Sequence, residues 1–158
     1  MASAAITGTF DPPTLGHIDI ISRAATMFQS VTVIVGTNIN KTPLFTVSER
    51  VELLHKCLNA NNVRTIVADG LTATVVSDLK IDAIVKGIRG ATDTEYELTQ
   101  ARLNRELGGV ETLLIPTNPA YSHISSSAVK EIAHFGGDIT KMVPDVVARA
   151  LSERINHE

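Results

Sequence analysis

The chain has 158 residues, 44% hydrophobic and 20% charged, with a formal net charge of −3; this suits one globular domain, 1–158, able to bury a core. That balance excludes a disordered chain and a polybasic surface for nucleic acid or anionic lipid, and the absence of tryptophan disfavours single-strand stacking. The single cysteine, Cys57, excludes an internal disulfide, and the lack of a leader or a membrane-length apolar run leads us to expect a cytoplasmic protein.

The expected elements alternate. A strand at about 3–7 runs into a turn holding Gly8, Pro12, Pro13 and Gly16, four chain-bending residues in nine. Helix one is expected over Gly16–Phe28, with Ile18, Ile21, Ala25 and Phe28 at helical spacing. Val31–Val35 is β-branched almost throughout and reads as a strand buried on both faces. A polar loop follows, Gly36 to Phe45, with Lys41 in it. Thr46–Glu49 is a capping box opening helix two. Val63–Ala68 reads as strand three and about 71–80 as helix three.

Strand four, Ala83–Val85, passes directly into Lys86-Gly87-Ile88-Arg89-Gly90. Thr92-Asp93-Thr94-Glu95 is a second capping-box pattern, predicting a helix to about Leu107 that Gly108-Gly109 stops. Thr112–Ile115 is strand five. Ser125–Ser127 lead into a helix over Ala128–His134, and a last helix covers about Pro144–Ile155. This alternation predicts an α/β, doubly wound, Rossmann-like parallel sheet of five strands with flanking helices and a C-terminal helix. Ligands on such sheets bind beyond the carboxyl ends of the strands. The first turn, the Lys41 loop, Lys86–Arg89 and the three serines all fall there.

Several chemistries are disfavoured. The serines lack a G-x-S-x-G elbow, and the five histidines show no paired metal spacing. There is neither a G-x-G-x-x-G dinucleotide turn nor a G-x-x-x-x-G-K-[ST] loop. His55, His134 and His157 read as solvated helix or terminal residues. What remains is a set of donors. His17 stands at a helix start near the hydroxyls of Thr9 and Thr14, Gly16 clears a ligand's approach, and Lys41, Lys86 and Arg89 bring charge. Ser125–Ser127 add hydroxyls and helix-start N–H groups. Such equipment holds phosphates and stabilises charge at a phosphorus under displacement.

The motif T-L-G-H at 14–17 resembles the [HT]-x-G-H signature of the nucleotidyltransferase superfamily, and I-S-S-S at 124–127 resembles its second signature. G-T-F-D-P (8–12), P-L-F-T (43–46), E-R-V (49–51), K-G-I-R (86–89), E-Y-E (95–97), L-N-R (103–105) and S-S-S-A-V-K-E (125–131) together resemble the bacterial phosphopantetheine adenylyltransferases over nearly the whole chain. The resemblance implies AMP transfer from ATP to 4′-phosphopantetheine, with Mg²⁺ carried by ATP and no metal site on the protein. It implies His17 as transition-state stabiliser, with Lys41 and Arg89 beside it in catalysis. For ATP it implies Thr9, Phe10, His17, Gly87, Ile88, Arg89, Glu97, Tyr121, Ser122, His123, Ile124, Ser125, Ser126 and Ser127. For the acceptor it implies Thr9, Lys41, Thr72, Lys86 and Asn104, and for assembly a homohexamer. Thr7, Lys86, Thr94 and His123 depart from the family's usual Pro, Arg, Phe and Phe. The alternatives are a nicotinate-mononucleotide or glycerol-3-phosphate type of nucleotidyltransferase, and a non-catalytic nucleotide sensor.

Overall fold

A computed structural model describes residues 2–37 and 42–156. Lys41 and His157 lie outside the described residues. In chain order the elements are β1 Ser3–Gly8, α1 Leu15–Met27, β2 Ser30–Val35, α2 Val47–Cys57, β3 Val63–Val67, α3 Thr72–Asp78, β4 Ala83–Ile88, α4 Ala91–Gly108, β5 Glu111–Pro116, α5 Ser126–His134 and α6 Asp145–Ile155. The sheet order is β3-β2-β1-β4-β5, and every pairing is parallel. This is the doubly wound architecture that the alternating pattern predicts.

Side-chain alternation divides the core into two faces. Ala4, Ile6, Val31, Val33, Val35 and Val85 pack with Ile20, Ile21 and Ala24 of α1 and Leu54 of α2. Ala5, Ile34 and Ile84 point the other way, onto Val76 of α3 and its neighbours Ile81 and Val110. A third cluster joins Phe45, Leu53 and Val129 to Val147 and Leu151 of α6. The chain runs β1, β2, β3 to one side, then crosses to β4 and β5 on the other. β1 and β4 are therefore neighbours whose following segments diverge, and a crevice opens beyond their carboxyl ends.

One expectation fails at α4. The helix does not start from a Thr92 cap. Gly90, extended at φ −172° and ψ −174°, is its N-cap without a side-chain bond, and Thr92 already lies in the first turn. The physical reason is that β4 continues through Ile88, so the helix begins immediately behind it. Asp93 and Thr94, both inside the supposed box, bond backward instead. Asp93 Oδ2 accepts from the Arg89 backbone N–H at 3.2 Å, and the Thr94 hydroxyl donates to the Gly90 carbonyl at 2.8 Å. The Thr46–Glu49 box is formed as expected. Pro119–Tyr121 makes a short 3₁₀ turn that periodicity does not reveal.

Candidate active site

The first wall of the crevice is the β1–α1 turn. Phe10 takes φ +50°, the left-handed region that costs a non-glycine residue free energy. Its ring is buried, at 2% exposure, and meets the His17 ring edge-on with centroids 5.0 Å apart. Gly8 makes room for it, since a Cβ there would lie 3.1 Å from the Phe10 ring. At Gly16 a Cβ would make only ordinary contacts with Thr14 and Tyr121, so packing of the chain alone does not demand glycine there.

Two buried polar side chains hold this turn. Asp11 accepts from the backbone N–H groups of Leu44 (2.9 Å) and Phe45 (2.8 Å) and pairs with Lys130 at 2.8 Å. Burial pushes its carboxyl pKa up, but the Lys130 bond and the two backbone N–H groups outweigh that and lower it overall. Arg50, 1% exposed, donates to three backbone carbonyls: Phe45 at 3.1 Å, Thr9 at 2.7 Å and Gly36 at 2.9 Å. The turn, the end of β2 and the start of α2 are thus tied through one guanidinium.

T-L-G-H folds as a capping box in which histidine takes the place of the usual glutamate. The Thr14 hydroxyl accepts from the His17 backbone N–H at 3.3 Å, and His17 Nδ1 accepts from the Thr14 N–H at 3.0 Å. Accepting at Nδ1 places the ring proton on Nε2. Burial, then the charges of Arg89 and Lys86, lower the His17 pKa to about 4. The residue is therefore a neutral N–H donor at physiological pH, oriented by the helix it caps.

The opposite wall is the β4–α4 junction. Lys86 Nζ donates to the Thr7 carbonyl at 3.1 Å and lies 3.9 Å from Glu97 Oε2. Burial lowers the Lys86 pKa, and the Glu97 and Asp93 charges oppose that. Arg89 is gripped by Asp93, Nη2 to Oδ1 at 2.9 Å and Nε to Oδ2 at 3.1 Å, and its Nη1 donates to the Ile124 carbonyl at 3.1 Å. The third wall is the start of α5. The Ser125 hydroxyl accepts from Ala128 N–H at 3.1 Å, and the Ser126 hydroxyl donates to the Pro12 carbonyl at 2.8 Å, locking the helix start to the first turn. That start presents free backbone N–H groups.

A cavity of about 310 Å³ lies between these walls. Of the residues expected at the site, Phe10, His17, Lys86, Gly87, Arg89, Glu97, Tyr121, Ile124, Ser125, Ser126 and Ser127 line it. Thr9 lines an adjoining cavity of about 110 Å³ that shares Ser126 and Ser127 with the first. Ser122 lies on a shallow surface with Arg89 and Tyr96, and His123 is exposed. Ile88 ends β4, Thr72 opens α3, and Asn104 is the one buried residue of α4; these three are not among the cavity's lining residues. Lys41 falls outside the described residues. Sequence reasoning gave no role to Asp11, Arg50, Asp93 or Thr117. Asp11 stands between Phe10 and Pro12 and Arg50 between Glu49 and Val51, and neither local context marks a buried anchor.

Residues 5–132 match the model of the cytidylyltransferase-like family. The chain is 47% identical to a phosphopantetheine adenylyltransferase of Frankia casuarinae, with 98% of this chain and 99% of that one covered. It is 48% identical to the phosphopantetheine adenylyltransferase of Clostridium perfringens strain ATCC 13124, with 94% and 92% covered. In three dimensions it is similar to a candidate nicotinate-nucleotide adenylyltransferase from Vibrio parahaemolyticus, at a TM-score of 0.70 and 20% identity over 100% of this chain and 97% of that one. At that identity the likeness is one of fold.

Proposed function

The chain belongs to the cytidylyltransferase-like family and, within it, to the phosphopantetheine adenylyltransferases, and from that premise we propose how its cavity carries out the reaction. The enzyme transfers AMP from ATP to 4′-phosphopantetheine, giving dephospho-CoA and pyrophosphate for coenzyme A synthesis. An oxygen of the acceptor's phosphate attacks the α-phosphorus in line, the bond to the bridging oxygen breaks, and pyrophosphate leaves. The nucleophile comes with the substrate, so the protein supplies position and charge.

The observation that carries this reading is His17. A neutral imidazole, locked by its own helix cap, keeps Nε2–H as its free donor in the cavity that Lys86 and Arg89 also line. It donates to the α-phosphate oxygen as negative charge grows there, and it needs no reorganisation to do so. Arg89, Gly87, Ile88 and the Ser125–Ser127 helix start take the triphosphate, with Thr9 and Phe10 at the turn. Glu97 and the Tyr121–Ile124 segment, Ser122 and His123 included, face the adenosine. Lys41, Lys86, Thr72 and Asn104 serve the acceptor. Thr9 stands at the junction of the two substrates, which its place in the cavity adjoining the main one supports.

Among the described residues no three carboxylate, histidine or cysteine side chains converge as a metal cage. The carboxylates lining the main cavity, Asp93 and Glu97, already face Arg89 and Lys86. On this reading Mg²⁺ arrives on the phosphate oxygens of ATP, where it neutralises charge. We place the enzyme in the cytoplasm, and no described helix is long and apolar enough to cross a membrane. Exposed Tyr96, Leu103 and Leu107 on α4 support its assembly as a homohexamer, which sedimentation measures. Residues 1–158 act as one catalytic domain. The test is pyrophosphate release with ATP and 4′-phosphopantetheine, each omitted in turn. Release that requires both supports the reading, and faster turnover of another phosphorylated acceptor overturns the choice of substrate.

A further inference from the structure

Arg89 is the long, half-exposed cation of the cavity, and an unrestrained arginine loses roughly 2 kcal/mol of rotamer entropy when it is fixed. Here it is fixed before any ligand arrives. Asp93 stands one helical turn after Arg89 and binds it side-on through both carboxylate oxygens. The same carboxylate also accepts from the Arg89 backbone N–H at 3.2 Å. Nη1 is held by the Ile124 carbonyl at 3.1 Å, just ahead of the α5 start. Three of the guanidinium's five N–H donors are thereby spent, and the other two remain for a ligand. Both Arg89 and Asp93 line the cavity.

A carboxylate beside a phosphate site repels the substrate directly, so whatever Asp93 contributes must come through Arg89. Its geometry offers a gain of another kind. Holding the Arg89 fork in one orientation matters where the transferring phosphoryl group must be met at one angle. We propose, on the functional reading above, that Asp93 is a positioning residue for adenylyl transfer, acting through the orientation of Arg89. A residue that only caps α4 would have the same backbone bond but no effect on turnover through Arg89.

The test is a double-mutant cycle on the full-length enzyme, comparing Asp93→Asn, Arg89→Gln and the pair by pyrophosphate release, with melting temperature recorded for each. We expect Asp93→Asn to lower kcat about tenfold or more while KM for ATP moves less than about threefold. Added to Arg89→Gln, it should lower kcat by less than about twofold further, because the group it orients is already gone. Asp93→Glu, which keeps the charge, should recover part of the lost kcat. Independent, multiplying losses in the double variant overturn the proposal, as does a variant that lowers only the melting temperature. No pyrophosphate release by the unsubstituted enzyme would instead overturn the functional reading itself.

Discussion

Two of the cavity's three walls are built differently. The first turn is held from within, by a buried arginine on three backbone carbonyls and a buried aspartate on two backbone N–H groups. The β4–α4 junction is held by side-chain ion pairs, with Arg89 and Asp93 38% and 28% exposed. The first wall carries the neutral donor His17 and the second carries the charges. His17 is fixed by the Thr14 backbone N–H with no charged partner, whereas Arg89 and Lys86 are each held by a backbone carbonyl and a facing carboxylate together.

Breaking the first wall should have the largest effect on the fold. Arg50→Met leaves the carbonyls of Thr9, Gly36 and Phe45 without that donor, and unmade buried bonds of this kind cost about 3–5 kcal/mol in sum. Urea unfolding measures it, and a loss under about 1 kcal/mol would erase the contrast between the walls.

Acid probes the same wall more gently. The His17 pKa is about 4 in the fold against an ordinary 6.5 for histidine. Between those values the unfolded chain takes up a proton that the folded site refuses, so stability rises with pH across the window and falls on acidification. The full difference is roughly 3 kcal/mol as an order of magnitude. Comparing unfolding free energies of the parent and His17→Asn from pH 7 to pH 4 isolates it; the variant should lose this part of the slope. Parallel curves would mean that the histidine is not held neutral.

The second wall should yield least in stability. Asp93→Asn removes an exposed ion pair and should cost under about 1 kcal/mol, less still in high salt. A loss as large as that for Arg50 would mean that the junction is built like the turn.

The sheet was legible because β2 is β-branched and α1 and α2 carry spaced apolar residues that pack on it. The start of α4 was misread because the T-x-x-E pattern is local, whereas the extension of β4 through Ile88 depends on its pairing with β5. His17 was legible from T-x-G-H, but not that its ring completes the cap. Arg50 and Asp11 were not legible as anchors. Most of their partners are backbone groups, some far along the chain (41 residues away for the Thr9 carbonyl), and backbone groups leave no mark in a sequence.

The most direct test of the account is His17→Ala, with turnover followed by pyrophosphate release and ATP binding by calorimetry. The account predicts turnover lower by about 10²–10³, as for loss of one preorganised donor, with the ATP dissociation constant within about tenfold of the parent's. Equal loss of binding and rate would contradict it, because His17 would then hold ATP in the ground state rather than answer the charge that develops during transfer.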